Sequence, residues 1–329
     1  MHILCRLMTF INASGPAGWD SLVDSGNRSV SMTVAIPPSG PIPAAIPAMS
    51  NKHDTLGIPG RLLHRLGSWS GWLTVILLLL AVAVFLVATP PGLLRKADMV
   101  GYAVCHQIES HSFRIGGHYL PLCARCTGTF LGALVGLFGQ GVVLSRRRAG
   151  EFPPPPILAV LAGFTLVWMG DGLNSYLALV GGPHLYSPTN HLRLATGAFN
   201  GLTMSALVWP VFNISFWRSP TDEPAIRGLV DLGVLLLLEA ALIGVVLSGH
   251  DFLLYPLALL SAGGVVALLT SVNTVIALIV LRRENSVGHW REALGPICLG
   301  MLMSVAQIGL IGVFRFRITG TLEGIPPLS

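Results

Sequence analysis

Charge is scarce in this sequence. Asp, Glu, Lys and Arg together make up 11% of its residues, where soluble domains carry about 25%. With 52% hydrophobic residues and a mean hydropathy of +0.70, that scarcity excludes an ordinary soluble domain and predicts a membrane protein. The long apolar runs lack period-two alternation, which excludes a closed barrel and leaves helices as the spanning elements. A Ser-His-Asp arrangement, a phosphate loop, an HExxH pair and a nucleotide fingerprint are all missing, so the usual enzyme signatures fall away and enzymatic activity is the lesser reading. Cys126 is followed by Thr127 rather than His, which argues against c-type haem attachment. No internal repeat is evident, and a transporter reading thereby loses the broken inverted repeats such proteins often carry.

Seven stretches are long enough to cross a bilayer, which needs roughly 20 apolar residues: Trp69 to Thr89, Thr127 to Ser145, Ile157 to Val180, Leu192 to Trp217, Gly228 to Ser248, Phe252 to Leu281 and Leu294 to Phe314. The expected fold is therefore all-α, a polytopic membrane bundle of about seven helices. Thirteen of the twenty Lys and Arg residues fall on one side of these spans, beside helix ends rather than in a stripe, so they read as topology signals and not as a nucleic-acid surface. They place the amino terminus in the cytoplasm, the Cys105–Cys126 loop outside, and the chain in the cytoplasmic membrane, with lipid and other membrane subunits as its partners. Residues 1–67, with the Pro- and Ala-rich "AIPPSGPIPAAIPAMS", read as a disordered cytoplasmic tail. Met49 is a plausible true start, which would remove Cys5. Residues 68–218 form a motif-bearing membrane half and 219–329 a three-helix half, divided near "SPTDEP".

The densest chemistry lies in "CHQIESHSFRIGGHYLPLCARCTGTF". Cys123 and Cys126 form a Cys-x-x-Cys that runs into the second span, where the helix dipole and unpaired N–H groups favour a thiolate; Arg125 adds positive potential. Cys105 supplies a third sulfur and His106, or alternatively His118, a nitrogen, a set suited to zinc or another transition metal. Redox-active thiols and a plain disulfide staple are the two other readings. Cys298, inside the last span, reads as packing.

A second constellation comprises Asp171 and Asn174 at the end of the third span, with Asn190, Arg193 and Thr196 opening the fourth. Asp171 lies about 21 Å along its helix, at the level of the outer leaflet, where an isolated charge is costly; Arg193, directly or through Asn190, is its expected partner, with Arg125 the alternative. These groups read equally as a salt-bridged knot or as the polar floor of a pocket beneath the cysteine loop. Gly128, Gly132 and Gly136 in the second span and Gly197 and Gly201 in the fourth have the small-xxx-small spacing of closely packed helices. Glu239, in the middle of "LLLLEAALIG", is the acid deep within the last three spans, a candidate for proton or cation handling, or else a protonated group bonded between helices, with Gln307 at a similar depth.

The combination CHQ…SF…G…LPLCARCTG…G followed by D…N…SPTN-x-LR-x-x-TG…G resembles the predicted prokaryotic membrane proteins designated DUF2085, over about Gly101 to Ser205. The resemblance implies a membrane protein with a shared cysteine and polar signature and no established activity. Cys105, His106, Cys123, Arg125, Cys126, Asp171, Asn190, Arg193 and Gly197 fall on matching positions. Glu109, Ser110 and His111 stand where that family has Pro-Glu-Arg, so no role for its Arg carries over. The functional expectation is a metal-binding or disulfide-stabilised binding or assembly protein, with a membrane thiol–disulfide oxidoreductase, or a small-solute or ion transporter, as the alternatives.

Overall fold

The structure, a computed structural model, describes residues 58–322, with side chains from residue 71 onward. Met49, Cys5 and most of the expected tail lie outside the described residues; residues 58–67 are already helical. Eight α-helices follow one another: α1 (Ile58–Ala88), α2 (Leu93–Val104), α3 (Ala124–Phe138), α4 (Pro155–Leu179), α5 (Asn190–Phe216), α6 (Leu229–Leu247), α7 (Leu254–Val280) and α8 (Trp290–Thr319). Six of them, all except α2 and α5, are long and apolar enough to cross a membrane. The fold is an all-α membrane bundle.

The fourth expected span is α5, and its composition explains why apolarity alone does not mark it. It carries a buried polar series that includes Asn200, Thr203, Ser205 and Asn213, because it faces protein rather than lipid. Its length settles the matter. The N-terminus of α5 lies beside that of α3, where Gly197 meets the Arg125 carbonyl. Its far end is beside the far end of α3, where the Trp209 indole donates to the Arg146 carbonyl (2.9 Å) and the Asn213 amide to the Ala149 carbonyl (2.9 Å). The helix therefore runs between the same two levels as α3, parallel to it.

Glycine makes that pairing possible. A Cβ at Gly132 would sit 2.5 Å from the Ala198 carbonyl oxygen, and one at Gly128 or Gly201 would collide with the Leu194 or Thr129 carbonyl. Only a backbone stripped of side chains allows helices so close. Gly264 of α7 lies similarly against the Phe130 carbonyl of α3, and Gly300 of α8 against Thr274 of α7. Small-residue contacts thus link α5, α3, α7 and α8 in order, while α1 packs on α8.

α2 was not expected. At twelve residues it is too short to span, and its last turn is buried nearly all round, at Val100, Gly101, Tyr102 and Ala103. Beyond it, the hairpin β1 (Arg114–Ile115) and β2 (His118–Tyr119) closes over Gly116 and Gly117, both at positive φ, as a tight two-residue turn requires. The hairpin is pinned by the Gly116 N–H donating to Asp251 Oδ1 at 3.0 Å. On the opposite side β3 (Ala149–Glu151) pairs in parallel with β4 (Thr221–Pro224). The "SPTDEP" stretch expected to separate two halves thus contributes a strand that joins them. Arg146 ties the same region to Glu223 (3.0 Å) and Asp231 (3.5 Å).

Candidate metal centre

Two helix ends bring the cysteines together. α2 ends at Cys105, its C-cap; Cys123 is the N-cap of α3; and Cys126, three residues on, shares the face of α3's first turn with Cys123. The ligand atoms of Cys105, His106 and Cys123 all lie within 4.8 Å of one another. Cys105 accepts hydrogen bonds from the Cys123 N–H (3.3 Å) and the Gln107 N–H (3.5 Å), whereas Cys126, expected as a further ligand, lies outside the 4.8 Å group. All four described cysteines are free thiols. His106 Nδ1 accepts from the Ile108 N–H at 3.2 Å, which leaves Nε2 as its ligand nitrogen. His118, the alternate ligand expected from sequence, is exposed on β2 and does not join the group. Cys298 lies apart in α8.

This geometry polarises the thiols. Hydrogen bonds from Cys123, then from Cys126, hold the Cys105 thiol far below its ordinary pKa, against the opposing effect of burial. The same bond to Cys105 pushes Cys123 up. One thiolate is thus shared among three sulfurs. Burial lowers the pKa of His106, keeping the ring neutral and able to donate a lone pair. His111, edge-on to the His106 ring at 5.6 Å, is lowered to about 4 by burial first and by Arg193 next.

Two residues outside the sequence expectation hold the loop. Gln107 takes a left-handed backbone (φ 52) that turns its amide inward to donate to the carbonyls of Asp98 (3.0 Å) and Pro121 (2.8 Å); the "CHQ" triplet was its sequence signal. Arg315 of α8 donates to the carbonyls of Tyr102 (2.6 Å), Cys105 and His106 (3.3 Å), and its guanidinium lies 4.1 Å over the Tyr102 ring. Nothing local to Arg315 in the sequence signals that role, since its partners are more than 200 residues away.

The polar floor corrects one expectation. Asp171 pairs with Arg125, not with Arg193: Arg125 Nη2 donates to Asp171 Oδ2 and to Ser175 Oγ (2.9 Å), while Asp171 also accepts from the hydroxyls of Tyr186 (2.7 Å) and Thr196 (3.4 Å). Arg125 lies in the first turn of α3, against Gly197 of α5, so the parallel packing of these helices delivers it. Arg193 bonds instead to Asn190 Oδ1 (2.8 Å), and the Asn190 amide reaches the carbonyls of Ser110 and Ser112 at 3.3 and 3.4 Å. Asn174 braces the chain before α5, accepting from the Leu185 N–H (2.7 Å) and donating to the Tyr186 carbonyl (2.9 Å). Tyr186 was missed because "HLYSPTN" reads as a polar connector. Glu239 lies apart in α6, wholly buried, with neither oxygen hydrogen-bonded. Gln307 accepts from the Asn273 amide (3.1 Å), because α8 packs on α7.

Comparison with known proteins places the site within a matched segment. Residues 105–207 match the sequence profile of a family described as a predicted membrane protein (DUF2085). An uncharacterized protein of Methanothermobacter thermautotrophicus is 50% identical over 105 residues, 32% of this chain and 83% of that relative. An uncharacterized protein of Methanocaldococcus jannaschii is 32% identical over 110 residues; the match covers 33% of this chain and 64% of that protein, less than two thirds of its length. Ammonium transporter 2 of Arabidopsis thaliana is 32% identical over 116 residues, 35% of this chain but only 22% of the transporter. No solved structure matches the chain.

Proposed function

The chain belongs to the DUF2085 family of predicted membrane proteins, and from that premise we propose that its Cys/His loop is a structural transition-metal centre, with zinc as the metal, which locks the outer ends of α2, α3 and α8 into a platform for binding or assembly. The observation that carries this reading is the convergence of Cys105, His106 and Cys123 within 4.8 Å, with Cys126, in the first turn of α3, as the fourth candidate ligand. A tetrahedral zinc site with three sulfurs and one nitrogen needs ligand atoms about 3.4–3.8 Å apart, so closing the group onto an ion takes shifts of about 1 Å. Burial of two of the three thiols, with Cys126 half-buried, supports this reading over a thiol oxidoreductase. Cys105 and Cys123 are 6% and 2% exposed, whereas thiols that exchange with a substrate are low-pKa and accessible.

The orientation we propose puts the amino terminus in the cytoplasm and the cysteine loop outside the cytoplasmic membrane. Thirteen of the twenty basic residues on the other side support it. Reporter fusions at residues 116 and 147 check it, and a cytoplasmic signal at 116 reverses it.

The deciding experiment is elemental analysis of the purified full chain, with thiols counted before and after chelation and after reductant. The expected result is about one zinc per chain and thiols that react only once the metal is removed, with a loss of thermal stability on chelation. Metal-free protein whose thiols form and lose a disulfide reversibly would overturn the metal reading in favour of the oxidoreductase.

A further inference from the structure

Charge does not balance around the first turn of α5. Arg193 is 6% exposed. Its side chain makes one hydrogen bond, to Asn190 Oδ1; its Nε has no partner; and among the described residues no carboxylate lies within ion-pair distance of it. Arg125 commits Nη2 to Asp171 and Ser175 and likewise leaves a buried Nε unpartnered. Two guanidiniums therefore share one carboxylate. α3 and α5 start side by side and run parallel, so their positive ends add at the same place. Asp171 and the Cys123 sulfur also act on Arg193, but Arg125 already takes Asp171 and a metal would take the thiolate, which leaves a costly buried guanidinium to be balanced by an added anion.

We propose that the polar cluster where loop 105–112 meets the first turns of α3 and α5 binds a phosphate group, held chiefly by Arg193 with Arg125 beside it. The planar fork of arginine matches phosphate oxygens bidentately, and Asn190, bonded both to Arg193 and to the carbonyls of Ser110 and Ser112, sets the loop as a roof over the site. The level in the membrane agrees with this ligand. Tyr176, Leu185 and Tyr186 are exposed next to the floor, and tyrosines of this kind gather where headgroups meet acyl chains. A free phosphate and the phosphate of a lipid headgroup present the same oxygens to the two arginines.

The roof loop also carries Cys105 and His106 of the metal centre, so the test reads phosphate and zinc separately. Full-length protein in neutral detergent is taken as wild type, Arg193→Lys, Arg193→Gln and, as a charge control, Arg218→Gln on the exposed opposite side. Each is titrated with inorganic phosphate, with a short-chain phosphatidylglycerol and with the diacylglycerol of the same chains; zinc content and melting temperature are recorded for each variant. The expected result is one site per chain for at least one phosphate-bearing probe and none for diacylglycerol. Affinity should weaken about tenfold or more in Arg193→Gln, as for loss of a charge-assisted pair, less in Arg193→Lys, and not at all in Arg218→Gln. Binding of inorganic phosphate marks a free ligand; binding of the lipid alone marks a headgroup. If neither probe binds wild type, if Arg193→Gln or Arg193→Lys binds as wild type does, or if Arg193→Gln loses zinc while wild type binds no phosphate, the proposal is overturned. In that last case the arginine balances the metal–thiolate charge instead.

Discussion

Asp171 shows how much hangs on a single buried partner. It receives Arg125, Tyr186 and Thr196 together, so Asp171→Asn strands a guanidinium that is mostly buried. Breaking a buried pair from one side costs about 3–5 kcal/mol, and thermal unfolding in detergent should fall accordingly. Replacing both members, Arg125→Met with Asp171→Leu, should recover a good part of the loss, while Asp171→Asn with Arg193→Gln should not. Recovery by the second pair would mean that Arg193 is the true partner. His111 offers a pH-dependent counterpart. Its folded pKa of about 4 lies below the usual 6.5, so on acidification the unfolded chain takes up the proton first. Stability contributed by the neutral ring is full above about pH 6.5 and is lost as pH falls toward 4. His111→Asn should flatten that part of the stability–pH curve, and an unchanged slope would show that the ring titrates alike in both states.

Among the elements, the α3–α5 contact is the least forgiving. Gly132→Ala and Gly201→Ala put a methyl into the backbone of the neighbouring helix, and separating helices packed this tightly should cost about 1–3 kcal/mol, as overpacking does. Gly163→Ala and Gly233→Ala, where nothing lies within 4 Å, are the controls and should be neutral or slightly stabilising. Equal effects at all four positions would remove the close-packing account. The four-residue glycine spacing was legible in the sequence, since it survives translation along a helix. The pairing of α3 with α5 was legible too, from the matching spacing in the two spans; which carbonyl each glycine meets was not, because that depends on the relative level and rotation of the two helices. α2 was illegible for another reason: twelve residues with a charged start carry no spanning signal, and the helix is stabilised by its face against α7 and α8.

At the scale of the whole molecule the cysteine loop is tied to the last helix. Arg315 holds the carbonyls of Tyr102, Cys105 and His106, and the Tyr102 hydroxyl reaches Thr319 Oγ1 (3.1 Å) and donates to the Thr321 carbonyl (2.7 Å). Removing this clamp frees the backbone of Cys105 and His106, two candidate ligands, without altering either side chain. Arg315→Gln should therefore raise the alkylation rate of the loop thiols several-fold, measured on metal-free protein, with the helical content of the bundle unchanged. A wild-type rate would show that Gln107 and the hairpin suffice. The clamp lies outside the matched segment, residues 105–207, so this chain secures its loop with a helix that the family signature does not include.

The sequence by itself determined the medium and the helical class, and it marked the Cys, His, Asp and Arg residues that the fold gathers at one end of the helices. Each of these follows from local composition: apolar length, scarce charge, and Cys, His, Asp and Arg at helix ends facing one level. Tertiary structure decided the pairings. Asp171 had arginines available at its level from two helices, and helix packing selected Arg125 over Arg193; His106 and His118 were both within reach of the cysteines, and the turn at Gln107 brought in one while the hairpin carried the other into the open. A contact between groups tens to hundreds of residues apart depends on how whole helices settle against one another, and no short stretch of sequence contains that information.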